Sequence, residues 1–136
     1  MLTPIYLTES ITVSPQIFPS DIPRLASMGF KSIINNRPDG EENNQPLNRE
    51  IERLAKEHGM TYFHLPVISG NITQDQGKQF SQFFVHAPKP IFAFCRTGTR
   101  CSALWSMSCT ELGSFDRRIA QATEMGFDLS WVKQPD

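Results

Sequence analysis

Residues 91–105 read IFAFCRTGTRCSALW. Four apolar residues, Ile91–Phe94, form a run short enough for a buried strand, and they stop at Cys95. A helical stripe of Ala103, Leu104 and Met107 follows Arg100. Between strand and helix lies a loop with a thiol at one end and a guanidinium at the other. A cysteine at such a junction feels the positive end of the helix dipole and the free N–H groups of the first turn, which favour thiolate. Gly98 permits a positive φ, so successive N–H groups can turn inward as an anion nest. Thr97 and Thr99 add hydroxyl donors, and Arg96 adds positive charge at the rim. Arg100, in the first turn, can grip two oxygens of a tetrahedral anion with its planar fork. Cys95 thus reads as a nucleophile at the base of an anion cradle made by residues 96–100, equipment for covalent catalysis.

Working outward, Ile5–Leu7 and Ile11–Val13 read as two short strands. Ser20 is a candidate N-cap for a helix carrying Ile22, Leu25, Ala26 and Met28 and stopped by Gly29. "FKSIIN" reads as a strand and "NRPDGEENNQP" as a polar loop. Leu47–His58 repeats apolar residues at helical spacing, "MTYFHLPV" is a strand, and Thr73 caps a helix whose inner face holds Phe80, Phe83 and Phe84. Ser114 caps a last helix containing Phe115, Ile119 and Ala122. The tail is expected to pack Trp131 on the body. Strands alternating with helices predict a single α/β domain over residues 1–136, with a largely parallel sheet of about five strands flanked by helices. Ligands of such sheets bind beyond the carboxyl ends of the strands. "CRTGTR" and "NRPDGEE" both leave a strand at that end, so they should face the same side.

Composition narrows the function classes. The chain has 136 residues and a net charge of -1, so no global basic field draws it to nucleic acid or an anionic membrane. No apolar run approaches the ~20 residues that cross a bilayer. The N-terminus lacks the pattern of a secretory signal, and the expected location is cytoplasmic. Cys95, Cys101 and Cys109 are an odd, clustered set, which reads as reduced thiols. With no Cys-x-x-Cys pair and only His58, His64 and His86 in support, a structural zinc site is not expected.

The loop also resembles the signature of cysteine-dependent phosphatases, in which His-Cys is followed by five residues and Arg-Ser/Thr. "ITVSPQI", "GFKSIINNRPDGE" and "YFHLPV" resemble strands and connections of dual-specificity phosphatases. The whole pattern, over residues 5–126, is most similar to the phosphatase-like family of the beta-lactamase hydrolase-like proteins. That resemblance implies a three-layer cysteine-phosphatase-like domain. It also implies cleavage of phosphate monoesters through a cysteinyl-phosphate, with no cofactor or metal and with a phosphorylated small molecule or protein as partner. The sequence departs from the pattern at three places. Phe94 stands where phosphatases have His, four residues rather than five separate Cys95 from Arg100, and Cys101 replaces the Ser/Thr that helps expel the cysteine. Ser102 or Thr99 is expected to take that part. Ser69 stands where a general-acid Asp would be, and Asp39, on the facing loop, is expected to supply the proton.

Bland readings stand beside these. Asp39 precedes a glycine and suits a tight turn. Arg37 either pairs with Glu41 or Glu42 or adds positive potential at the mouth. Asn36 fixes its loop by hydrogen bonds, and His64 is a satisfied strand histidine. Cys101 faces the core or serves as a resolving thiol for Cys95, and Cys109 is core. The short loop also matches rhodanese-like sulfurtransferases, which would carry a Cys95 persulfide. A third reading is a non-catalytic module that binds anions or phosphopeptides.

Overall fold

A computed structural model describes residues 2–108 and 111–135; Cys109, expected in the core, lies outside the described residues. Five strands form one sheet: β1 (Ile5–Tyr6), β2 (Ile11–Ser14), β3 (Ser32–Asn35), β4 (Thr61–His64) and β5 (Ile91–Phe94). Their spatial order is β1-β2-β5-β3-β4, with β1 antiparallel to β2 and every other pair parallel. The helices are α1 (Ile22–Ser27), α2 (Asn48–Glu57), α3 (Gln74–His86), α4 (Thr99–Met107) and α5 (Phe115–Glu124).

The central strands are buried on both faces, yet their side chains still alternate. Ile91 and Ala93 of β5 and Ile34 of β3 join a core with Phe80 and Phe84 of α3, Leu104 and Trp105 of α4, and Ala122 of α5. Phe92, Phe94 and Ile33 point the other way, to Ile22 and Leu25 of α1 and Ile51 and Ala55 of α2. This is the expected three-layer sandwich, with α3–α5 on one face and α1–α2 on the other.

Local sequence explains most element ends. Thr73 accepts from Gln76 N–H (3.1 Å) while the Gln76 side chain accepts from Thr73 N–H (2.9 Å), a reciprocal capping box that starts α3. Ser114 accepts from Arg117 N–H (3.2 Å) to start α5. Ser20 does not cap α1. A 3-10 turn, Pro19–Asp21, intervenes, and the Asp21 carboxylate accepts from Phe18 N–H (2.8 Å). The tail also differs from expectation. Phe127 and Leu129 are buried, whereas Trp131 is 46% exposed and donates its indole N–H to Asp128 O (2.8 Å).

Helix α4 carries the arginine of the signature loop, and eight of its nine residues are buried. It lies against α3 and α5. Its buried hydroxyls bond back to their own helix, Ser102 to Gly98 O (2.9 Å) and Ser106 to Ala103 O (2.7 Å). Arg118 of α5, itself buried, donates to Ser106 O (2.8 Å) and Glu111 O (2.8 Å) and so ties the two helices together. No helix among the described residues is long and apolar enough to cross a membrane.

Phe80 is fully buried on the α3 face of this core. Phe80→Ala is expected to cost about 3–5 kcal/mol by lost transfer energy and a residual cavity, read by urea unfolding.

Candidate active site

The parallel register places Ser14, Phe94, Asn35 and His64 side by side at the ends of β2, β5, β3 and β4. The chain leaves each strand on one side of the sheet, so the loops beginning at Cys95 and Asn36 meet as expected. A cleft of about 410 Å³ lies there, lined by Arg37, Glu41, Glu42, Ser69, Arg96 and Arg100. A neighbouring cavity of about 490 Å³ shares Arg37, Glu41 and Glu42 and adds Gln16, Phe18 and residues 43–45.

Gly98 is the N-cap of α4, with φ +91°. That turn brings its N–H to Cys95 Sγ at 3.1 Å. A Cβ built at Gly98 would lie 3.4 Å from Phe127 Cζ and 3.5 Å from the Ser14 carbonyl carbon, ordinary contact distances, so it is the left-handed φ rather than space that favours glycine here. Cys95 is fully buried, and its pKa is nevertheless lowered to about 5. The adjacent Cys101 thiol contributes most to that lowering, followed by the backbone N–H groups of Cys101, Thr97 and Gly98; burial opposes them. Cys101 is raised well above the ordinary thiol value by its own burial and then by Cys95, so it stays protonated.

Cys101 therefore occupies the place beside the sulfur that the sequence reading gave to Ser102 or Thr99. Ser102 is turned to Gly98 O, and the Thr99 hydroxyl accepts from the Thr97 hydroxyl (3.0 Å). The exposed Arg96 sits at the rim, with its Nε 3.6 Å from Glu42 Oε1.

Arg100 is 6% exposed and tightly held. Its Nη1 donates to Glu41 Oε2 (2.9 Å) and Val67 O (2.9 Å), and its Nη2 to Glu41 Oε1 (2.8 Å). Glu41 is gripped from a second side by Arg37, whose Nε donates to Oε1 at 2.8 Å. Arg37 also donates to Gln16 Oε1 (2.9 Å) and Glu42 Oε1 (2.6 Å), so it pairs with both acids considered for it. The two guanidiniums, Arg100 first, draw the Glu41 pKa down to about 2 against the effect of burial. Glu42 is lowered too, chiefly by Arg37.

Asp39 is not brought to this cleft. Its turn exposes it and aims the carboxylate at the start of α2, where it accepts from Asn48 N–H (2.8 Å). A carboxylate brought to a helix N-terminus satisfies a free N–H and suits the dipole, and this contact holds the Asp39 side chain. Asn36 donates to Leu65 O (3.0 Å) and so fastens its loop, and His64 Nε2 pairs with Arg37 O (3.0 Å), a satisfied strand histidine, both as read. Glu41 is the residue that sequence reasoning missed as a partner of Arg100. The available signal was an acid in a loop leaving the same sheet end as a buried arginine.

The comparisons agree with this fold. Residues 5–111 match the family model described as beta-lactamase hydrolase-like protein, phosphatase-like domain. A beta-lactamase hydrolase-like protein of Agrobacterium fabrum is 38% identical over 125 residues, which make up 90% of this chain and 29% of that protein. The chain spans about three-tenths of the length of the curated relatives it matches. The crystal structure of a candidate phosphatase from Neisseria meningitidis superposes with a TM-score of 0.79 at 38% identity, covering 92% of this chain and 89% of that one. Tk-PTP in its active form shares the fold alone, with a TM-score of 0.73 at 12% identity over 90% of this chain and 84% of that one. The chain belongs to the phosphatase-like domain family of the beta-lactamase hydrolase-like proteins.

Proposed function

We propose that this domain is a cysteine-dependent phosphatase acting on phosphate monoesters. The observation that carries the reading is a thiol held near pKa 5 at the N-terminus of α4, with Arg100 in the same helix's first turn. The Cys95 thiolate attacks phosphorus, forming the S–P bond as the bond to the ester oxygen breaks. Arg100 and the loop N–H groups stabilise the negative charge on the equatorial oxygens. Water then attacks the cysteinyl-phosphate, releasing phosphate and restoring the thiolate.

Protonation of the leaving group sets the substrate preference. The two carboxylates in the cleft, Glu41 and Glu42, are held ionised by arginines, and Ser69 cannot act as an acid near neutrality. Substrates whose leaving group departs without a proton, such as aryl phosphates, are therefore expected to react faster than alkyl phosphates. The organic part of the ester has room in the cavity that Phe18 borders.

Purified protein is expected to release p-nitrophenol from p-nitrophenyl phosphate, and Cys95→Ser is expected to abolish that release. Thiocyanate formation from thiosulfate and cyanide, without phosphate release, would instead identify a sulfurtransferase. Neither activity, with vanadate still raising Tm, would identify a binding module. The rate of Cys95 alkylation by iodoacetamide should rise through a midpoint near pH 5 and then level off, because thiolate accumulates above the lowered pKa. Cys101→Ala should move that midpoint upward, since it removes the largest influence lowering it. Asp39→Ala should leave kcat intact while costing about 0.5–1 kcal/mol of stability by uncapping the start of α2, read from kinetics and chemical unfolding.

A further inference from the structure

We propose that Glu41 is the positioning residue of the anion site: it clamps the far end of the Arg100 guanidinium and thereby presents the near edge as a free two-pronged donor. The inference rests on the oxyanion-binding reading above. A guanidinium has five N–H donors in a rigid plane. Both Nη1 hydrogens of Arg100 are engaged, one by Glu41 Oε2 and one by Val67 O, and one Nη2 hydrogen is engaged by Glu41 Oε1. The remaining donors are Nε–H and the second Nη2 hydrogen, which have no partner among the described residues. They lie side by side in the plane of the group, the spacing that suits two oxygens of one phosphate.

The same ion pair could be taken for a latch, with the Glu41 carboxylate standing in for substrate until a phosphate displaces it. Full burial of Cys95 is the observation on that side. Two others weigh more. Glu41 occupies the Nη1/Nη2 end of the guanidinium and leaves the Nε/Nη2 edge open. It is also pinned from behind by Arg37, which is 1% exposed and bonded in turn to Gln16 and Glu42. A latch carboxylate would have to abandon two arginines at once and leave the buried Arg37 short of a partner, which is costly. A clamp has to abandon neither.

The test is Glu41→Gln, which keeps the shape of the side chain and removes its charge and one acceptor. Kinetics with p-nitrophenyl phosphate should show kcat reduced at least ten-fold with KM changed less than three-fold, because orientation matters most where charge develops in the transition state. Affinity for vanadate, a mimic of that state, should fall in parallel. In an Arg100→Lys background, which retains charge but has no fork, the same Glu41→Gln change should cost almost nothing further, since its partner geometry is already gone. A Glu41→Gln protein with kcat and vanadate affinity equal to or above wild type would establish a latch and overturn the proposal. So would a full, additive loss in the Arg100→Lys background. If Glu41→Gln alone fails to fold, Glu41→Asp replaces it in the same cycle, with its one-carbon retreat expected to break the clamp. Absence of hydrolysis in wild type would overturn the phosphatase reading alone, and the clamp would then be judged by vanadate affinity from Tm shifts.

Discussion

The left-handed turn at Gly98 is the constraint from which the site follows. It follows the buried strand by four residues, starts α4 and points its own N–H at Cys95 Sγ. Its φ of +91° is one that residues with a side chain rarely adopt, so the turn depends on glycine. A thiol that would resist ionisation in an apolar setting instead meets a neighbouring thiol and three backbone N–H groups, and the balance falls toward thiolate. Because α4 is buried on nearly every side and tied to α5 through Arg118, the turn cannot relax by shifting the helix.

The site is assembled from four chain segments that the sheet aligns. In-register ends of β2, β5, β3 and β4 send Gln16, the signature loop, Arg37–Glu42 and Val67 to one side. Gln16 N–H bonds to Arg96 O (3.4 Å), Arg37 joins Gln16 to both glutamates, and Glu41 joins Arg37 to Arg100. Arg100 closes the circuit on Val67 O. Most of these links are charge-assisted and at least partly buried, so solvent screens them less than surface pairs.

Much of this was legible in the sequence because it rested on local rules. Periodicity separated strands from helices, Thr73 and Ser114 announced their caps, and the Cys95–Gly98–Arg100 spacing announced the turn from β5 into α4. Parallel strands then placed the two loops together without any knowledge of contacts. Misreadings arose where two local options competed. Asp39 had a mouth to face and a helix start to cap, and the nearer N–H of Asn48 took it. Ser20 lost the cap of α1 because Pro19 and Asp21 built a 3-10 turn first. Ser102 and Thr99 carried the right chemistry for the sulfur, but their hydroxyls are taken by Gly98 O and Thr97. The Glu41–Arg100 pair spans 59 positions, a separation at which no periodicity speaks.

The departures from the phosphatase pattern become intelligible together. Alternation along β5 commits the Phe94 side chain to the α1–α2 core, away from the face that Cys95 joins, so an apolar residue fits there without touching the sulfur. Cys101, fully buried beside Cys95, meets a negative neighbour with a proton rather than a second charge, since burial raises its own pKa. In the cleft, two carboxylates already offset two of the three guanidiniums. For the phosphate dianion we propose, simple attraction is therefore weak in a site so rich in arginine, and discrimination rests on direction. Five donors on one rigid plane can be divided between a fixed acid and an incoming oxyanion; a lysine ammonium, a point charge with rotatable donors, offers no such division.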